Sequence, residues 1–527
     1  MSASPAPTAV VVGGGISGLL AARQLAGAGV RTTVLEATGT WGGCVGSHVV
    51  AGLTLDSGAE SFATRSDAVA ALARELGLGP QIVAPNPGGA WVQLPEGPRE
   101  LPRTGVLGIP ANPWDPEVRR TLGLAGSLRA WVDTLLPASV GTGGAATSVA
   151  ALVRARMGRR VLDRLVSPVV GGVHSADPSL LDVDMVAPGL RSGLRTHGSL
   201  AAAVKAQRRA STTATPAAPQ ESTAPQGSAA PQESTAPQGS AAPQESTAPQ
   251  GSAALQKAGS AVAGLRGGMH TLVTALLAEL TDLGVTLLAG TPAAGVRRTP
   301  TGWQVTAGGE EYGAGRLVVA VEGPAAVGLL SGVLPEITAL RPAAGPDVKL
   351  VTLVLDRSEL DAAPRGTGVL VAPQSPGIQA KALTHATAKW AWLDESTAPG
   401  RHVLRLSYGR GATPGAPVSA TAGAMPEPDA EADLLAAALR DASTLLGVGL
   451  SRDDLAGWDV VRWAGALPFA SLGHKQRVAR VRELCAAEGD LAVVGGWVAG
   501  NGLAAIVADT PRQIAPLLPA VARDSAP

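Results

Sequence analysis

Gly13-Gly14-Gly15-Ile16-Ser17-Gly18 follows an apolar run, Ala9-Val10-Val11-Val12, and opens a helical pattern over residues 16–28. A short, continuous apolar run of this kind suits a strand buried on both faces of a parallel sheet. Residues 31–35, Arg-Thr-Thr-Val-Leu, are largely β-branched and read as a second strand, closed by Glu36. Strand, glycine turn, helix, strand and terminal acid together make a phosphate-binding βαβ unit. Gly13 permits the tight turn, Gly15 lets backbone N–H groups approach a pyrophosphate, and Gly18 lets the helix lie close on the strand. The helix N-terminus favours the phosphate charge, and Glu36 is placed to accept hydrogen bonds from ribose hydroxyls. The expectation is a dinucleotide site, with a purely structural βαβ unit as the alternative.

The rest of the chain limits what can surround such a unit. Its 42 basic and 42 acidic residues leave no basic surplus, which argues against a general nucleic-acid binder. Two cysteines, Cys44 and Cys485, cannot make a disulfide framework and fit a reducing compartment. The seven histidines are scattered without zinc-ligand spacing, so no metal is expected. The first residues carry no signal-peptide pattern, and no uninterrupted apolar run reaches the roughly 18 residues of a membrane span. The expected location is the cytoplasm. Residues 217–252 are three copies of AAPQESTAPQGS. Such a unit has no large apolar side chain to offset the entropy of ordering, so residues 206–256 read as a linker-like disordered insertion.

Beyond that insertion, residues 268–283 read as a helix, and residues 285–289 and 316–321 as buried strands. Runs at 348–355 and 403–407 suit an antiparallel sheet. A last strand at 491–494 precedes a glycine-rich turn and a helix.

After Glu36-Ala37 come Trp41-Gly42-Gly43 and then Asp56-Ser57-Gly58-Ala59-Glu60-Ser61. This spacing resembles the flavin amine oxidase and protoporphyrinogen oxidase superfamily, whose E-A-x-x-R-x-G-G and D-x-G segments bind FAD. Thr40 stands where that family has its arginine. The C-terminal Gly495-Gly496-Trp497-Val498-Ala499-Gly500-Asn501-Gly502-Leu503 is similar to the family's second FAD motif, where a helix N-terminus meets the flavin pyrimidine oxygens. The cofactor set is therefore Gly13 to Gly18, Glu36, Ala37, Trp41, Gly42, Gly43, Gly58, Ala59, Glu60, Ser61, Val296, Trp497, Asn501, Gly502, Leu503 and Ala504. Further segments resemble the protoporphyrinogen/coproporphyrinogen oxidase branch. They are Pro168 to Asp177, Gly267-Gly268-Met269, Gly366 to Val371 and Ala466-Leu467-Pro468 followed by Gly473-His474. Thr367 and Phe469-Ala470 depart from that branch's residues.

The resemblance implies an α/β protein: a Rossmann-type FAD domain, an interleaved mixed or antiparallel-sheet substrate domain, and a helical region. The pieces fall at 1–65, 257–325 and 488–527 for FAD, at 66–105 and 326–487 for substrate, and at 106–205 for the helices. It also implies six-electron oxidation of a porphyrinogen, by hydride transfer to the flavin, with O2 as acceptor and H2O2 as by-product. Since the cofactor carries that chemistry, no side chain is assigned as a catalytic acid or base. Candidate substrate contacts are Arg103 for a propionate, His174, and Val369 with Leu370 against the tetrapyrrole face. For each of these a structural role is the alternative. Peripheral membrane contact and hand-over of product to the next heme-pathway enzyme are implied by the resemblance alone. The departures at Thr367 and Phe469-Ala470, with a Gly-, Ala- and Arg-rich composition, favour coproporphyrinogen III over protoporphyrinogen IX. The rivals are an amine or carotenoid oxidase, the first disfavoured by a chain with two Tyr and two Phe, and a non-catalytic FAD-bound scaffold.

Overall fold

The computed structural model describes residues 7–102, 105–144, 147–213, 262–409, 430–465 and 471–519. Strand β1 (Thr8–Val12), helix α1 (Ile16–Gly27) and strand β2 (Arg31–Leu35) form as the sequence indicates. β1 is the centre of a five-stranded sheet, in the order Thr286–Leu288, β2, β1, Arg316–Val319, Leu491–Val493, with every pairing parallel.

Both faces of this sheet are buried, and the two-residue strand period divides the side chains between two cores. Ala9 and Val11 pack with α1 and with helices His270–Asp282 and Leu503–Ile514. Val10 and Val12 pack on the other face, against the antiparallel meander Ala293–Thr299, Gly302–Ala307, Glu310–Ala314 and the helices Gly323–Leu330 and His474–Glu488. Helix Ala68–Glu75 adds Val69, Leu72 and Ala73 to the first core. That core therefore draws on residues on both sides of position 65.

The second sheet has seven strands in the order Leu455–Trp463, Val348–Asp356, Arg401–Tyr408, Ala382–His385, Gly368–Val371, Trp91–Leu94, Gly97–Glu100. It is antiparallel except where Trp91–Leu94 pairs parallel with Gly368–Val371. Helix Glu431–Leu446 covers one face through Leu434, Leu435, Ala438, Ala442 and Leu445. The opposite face turns toward the first region.

The helical region has its own core, from Ile109 to Val204. Its last helix, Leu200–Thr213, continues past position 206, because Lys205-Ala206-Gln207-Arg208-Arg209 are good helix formers that extend a packed turn. The repeat at 217–252 lies outside the described residues.

One buried ion pair ties this region together. Arg156 and Asp133 are both fully buried, with Arg156 Nε 2.6 Å from Asp133 Oδ1. The remaining guanidinium donors reach the carbonyl oxygens of Asp133, Pro137, Leu136 and Gly198. The second carboxylate oxygen, Oδ2, accepts from Ala201 N–H at 2.9 Å. Removing one member leaves a buried charge uncompensated, which costs about 3–5 kcal/mol. Asp133→Ala is expected to lower the stability of the helical region by that amount. Chemical denaturation followed by tryptophan fluorescence (Trp114 and Trp131 lie in this region) measures it, and an unchanged midpoint would show that the pair contributes nothing.

Candidate cofactor and substrate site

The three motif glycines separate into two that are closed by packing and one that is open. A Cβ on Gly13 would lie 2.6 Å from Ala320 O, and one on Gly18 would lie 1.8 Å from Gly13 O. No side chain fits at either position. A Cβ on Gly15 would meet nothing within 4 Å, so the space beside the α1 N-terminus is free for a ligand. Gly13 also adopts φ 109°, a left-handed conformation that glycine tolerates without strain. Its N–H donates to Leu35 O at 2.7 Å, which draws the end of β2 to the turn.

Glu36 is thereby delivered to the glycine loop. Its Oε2 accepts from Gly14 N–H at 2.7 Å, and Oε1 accepts from the N–H and hydroxyl of Thr38, each at 2.8 Å. Strand Thr286–Leu288 reinforces the position, since Glu36 N–H donates to Leu288 O and Thr291 N–H to Glu36 O. Ala37 follows on this loop. The next strand carries Val296, which pairs with Val305 and packs partly buried on the sheet core.

Residues 41–61 wrap the same loop. Trp41 lies over Gly14, where an added Cβ would be 2.4 Å from the ring, and Gly42 N–H donates to Gly14 O at 2.9 Å. A Cβ on Gly58 would fall 2.1 Å from Cys44 O, which accepts from Ala59 N–H at 2.8 Å. Asp56 has a job that spacing did not reveal: it caps helix His270–Asp282. Its carboxylate accepts from the N–H groups of Met269 and His270 and contacts His270 Nδ1 at 3.0 Å.

Two expected contacts come out differently. The carboxylate of Glu60, expected at the cofactor, is taken up by Lys389 and by Arg405, whose Nη1 is 3.0 Å away, while Arg405 Nη2 reaches Gly58 O at 2.7 Å. Burial alone would raise the Glu60 carboxyl, but the charges of Lys389 and Arg405 outweigh it and hold it below the ordinary value. Glu60 thus joins the cofactor segment to the second sheet. Val369, expected on the tetrapyrrole face, points its side chain into the core under helix Glu431–Leu446. Strand alternation sends Leu370 to the opposite face, where a Cβ on Gly172 of the helical region would lie 2.6 Å from Leu370 Cδ2. Arg103, Phe469 and Ala470 lie outside the described residues. Thr367 donates its hydroxyl hydrogen to Gly89 O at 2.7 Å, so that donor is already used within the protein.

The C-terminal motif turns through Gly495, Gly500 and Gly502, all at positive φ, into helix Leu503–Ile514. Leu503 and Ala504 face the core of the first sheet. Trp497 is buried in the other core, and its carbonyl meets His474 Nε2 at 2.6 Å. Asn501 and His174, assigned separately to cofactor and substrate by sequence, are joined directly: Asn501 Nδ2 is 2.8 Å from His174 Nδ1. Burial, with the charge of Arg65 nearby, pulls the His174 ring down to about 4. It is neutral at working pH and does not serve there as an acid.

The open Gly15, the carboxylate presented by β2 and the paired glycine turns fit a bound dinucleotide. The model for flavin containing amine oxidoreductases matches residues 16–507, and the chain belongs to that family; its cofactor is FAD. It is 32% identical to a coproporphyrinogen III oxidase of Propionibacterium freudenreichii subsp. freudenreichii, over 95% of this chain and 88% of that one. It is also 27% identical to a coproporphyrinogen III oxidase of Mycobacterium leprae, over 97% and 98%. Among solved structures it is similar to one from Exiguobacterium sp. 255-15 assigned as a protoporphyrinogen oxidase, with TM-score 0.74 and 22% identity over 98% of both chains. Cyclohexylamine oxidase from Brevibacterium oxydans IH-35A shares the fold at TM-score 0.59 and 15% identity, over 98% of this chain and 99% of that one.

Glu36→Ala removes the acceptor beside the open glycine. A charge-assisted hydrogen bond is worth about 1.5–3 kcal/mol, so the dissociation constant for FAD is expected to rise about 10- to 150-fold. Titration of apoprotein with FAD measures this, and an unchanged affinity would remove Glu36 from the site.

Proposed function

We propose that the chain oxidises coproporphyrinogen III to coproporphyrin III, removing six electrons and six protons and passing them to three O2 to give three H2O2. The supporting observation is the near full-length similarity to coproporphyrinogen III oxidases of two actinobacteria. Bound FAD supplies the two-electron oxidation and the reaction with O2. The residues of this chain have three tasks. Glu36 and the N-terminus of α1 hold the dinucleotide, the Glu60 junction with Arg405 and Lys389 fixes the second sheet against the cofactor segment, and Leu370 presents an apolar face to the ring. An apolar macrocycle needs positioning more than acid–base machinery, which agrees with a neutral, hydrogen-bonded His174.

Coproporphyrinogen carries four propionates and protoporphyrinogen two. A charge pair lost at a propionate costs about 1.5–3 kcal/mol, so kcat/KM should favour coproporphyrinogen III by roughly tenfold or more. Product fluorescence on one enzyme preparation gives the ratio. A value at or below one would sink the substrate assignment and leave the flavin oxidase standing.

The same reading includes contact with a membrane surface. Among the described residues no helix is long and apolar enough to cross a membrane. Helix Pro116–Trp131 and the turn after it nevertheless expose Leu124, Leu128 and Leu135, with Trp114 and Trp131 half-exposed. The helix is broken at Gly123 (φ 70°, ψ 169°); in the stretch after the break Leu124, Leu128, Trp131 and Leu135 recur at helical spacing, opposite the buried Gly126 and Ala130. Burying one leucine is worth about 1.5–3 kcal/mol, so Leu124→Glu with Leu128→Glu should weaken binding to phosphatidylglycerol-containing vesicles by at least about tenfold. Co-sedimentation reads the change, and equal binding of both proteins would exclude this face.

A further inference from the structure

We propose that the glycine-rich C-terminal loop encloses a binding site for one water molecule, held by His474, Trp497 and Asn501, and that His474 is a positioning residue for the loop through this water. The site is built from protein groups alone and does not depend on which substrate is oxidised.

Among the described residues, fourteen buried side-chain nitrogen and oxygen atoms have no hydrogen-bond partner. Three of the fourteen, His474 Nδ1, Trp497 Nε1 and Asn501 Oδ1, belong to the seven residues that line one small cavity. Such a coincidence marks a polar site rather than three separate defects, since buried polar groups are almost always paired with protein or with ordered water. The cavity offers about 10 Å³, the room of one water and too little for a larger ligand.

The three groups also supply the right mix of donors and acceptors. His474 Nε2 lies 2.6 Å from Trp497 O. A carbonyl only accepts, so the ring proton is on Nε2 and Nδ1 is a bare acceptor. Burial pulls the ring below the ordinary histidine value despite the Trp497 carbonyl, which favours this neutral form. Asn501 Nδ2 lies 2.8 Å from His174 Nδ1 and only donates, which leaves Oδ1 as the second acceptor. Trp497 Nε1–H is a donor. One water completes all three: its oxygen accepts from the indole, and its two hydrogens go to His474 Nδ1 and Asn501 Oδ1. A cation has no lone pair to offer the indole N–H.

The loop needs such a pin. Gly495, Gly500 and Gly502 adopt φ 126°, 104° and 99°, and no side chain at these positions restrains the turn into helix Leu503–Ile514. His474 opens helix His474–Glu488 and already binds the loop at Trp497 O. The water carries the same ring across the turn to Asn501, which holds His174 of the helical region. Segments at 174, 474 and 497–501 therefore meet at one point.

Two variants of the FAD-loaded protein separate the two nitrogens of His474. His474→Gln can place an amide N–H at the Nε2 position and keep Trp497 O, but it offers no acceptor at Nδ1. His474→Asn can place an acceptor at Nδ1 but does not reach Trp497 O. With 15N-labelled tryptophan, and the Trp497 indole signal identified by its loss in Trp497→Phe, the wild type should show a nuclear Overhauser peak between Nε1–H and a long-lived water. None of the residues lining the cavity has a hydroxyl that could imitate it. The peak should persist in His474→Asn and vanish in His474→Gln. In His474→Gln, exchange of the indole hydrogen should also quicken about 2- to 10-fold, the range of one neutral hydrogen bond. A crystal structure of the wild type should place one water within about 3.2 Å of all three atoms. No such water and no such peak in the wild type would overturn the site, and these readings decide it even where a variant fails to fold. Any other pattern in variants that melt like the wild type would overturn the role of His474 Nδ1.

Discussion

The distance at which α1 passes β1 governs the rest of the molecule. With no room for a Cβ at Gly18 or Gly13, the helix N-terminus comes down onto the carboxyl end of the central strand, and its N–H groups project into the space beside Gly15. A single methyl at Gly18 would collide with the Gly13 carbonyl and push the helix outward. The turn carrying Gly14, the bond from Gly14 to Glu36 and the stacking of Trp41 would move with it. Parallel pairing of β1 on both sides holds this arrangement, because both faces of the strand are buried in separate cores.

Around that centre, distant segments are fastened by a few polar contacts whose partners lie far apart in sequence. Asp56 caps helix His270–Asp282, Trp463 Nε1 donates to Ser57 O at 2.9 Å, and Glu60 binds Arg405 and Lys389. All three arise within the stretch 56–60, which makes this stretch the hinge plate between the first region and the seven-stranded sheet. Such buried ion pairs add little net stability over apolar replacements, yet removing one partner is expensive. Their effect is to fix one arrangement of two regions that each have a core of their own. The His174–Asn501 contact does the same between the helical region and the C-terminal motif.

Much of the first sheet was legible in the chain. The run at 9–12, the β-branched 31–35 and the segments near 286, 316 and 491 became its five strands; those at 9–12, 317–319 and 491–493 are buried on both faces and had to be continuously apolar. The glycine turn and Glu36 were legible for a related reason: tight turns and close approaches admit few residue types. The second sheet was visible only as antiparallel-like runs. Its one parallel junction, Trp91–Leu94 beside Gly368–Val371, joins segments too far apart for any local pattern to announce. Val369 and Leu370 show a finer limit. Both are apolar and adjacent, and which of them faces the helical region depends on register, which a stretch of four apolar or small residues does not specify.

The sequence by itself determined the βαβ unit, the position of its acid and the resemblance that names the cofactor, since each rests on residue types at fixed local spacing. Only the tertiary structure decided the partners of Asp56, Glu60, His174 and Asn501. A carboxylate, an imidazole or an amide carries no local signal of whether it will meet a ligand, a helix end or another side chain. That choice is made when segments hundreds of residues apart are brought within about 3 Å and each buried polar group must find a partner.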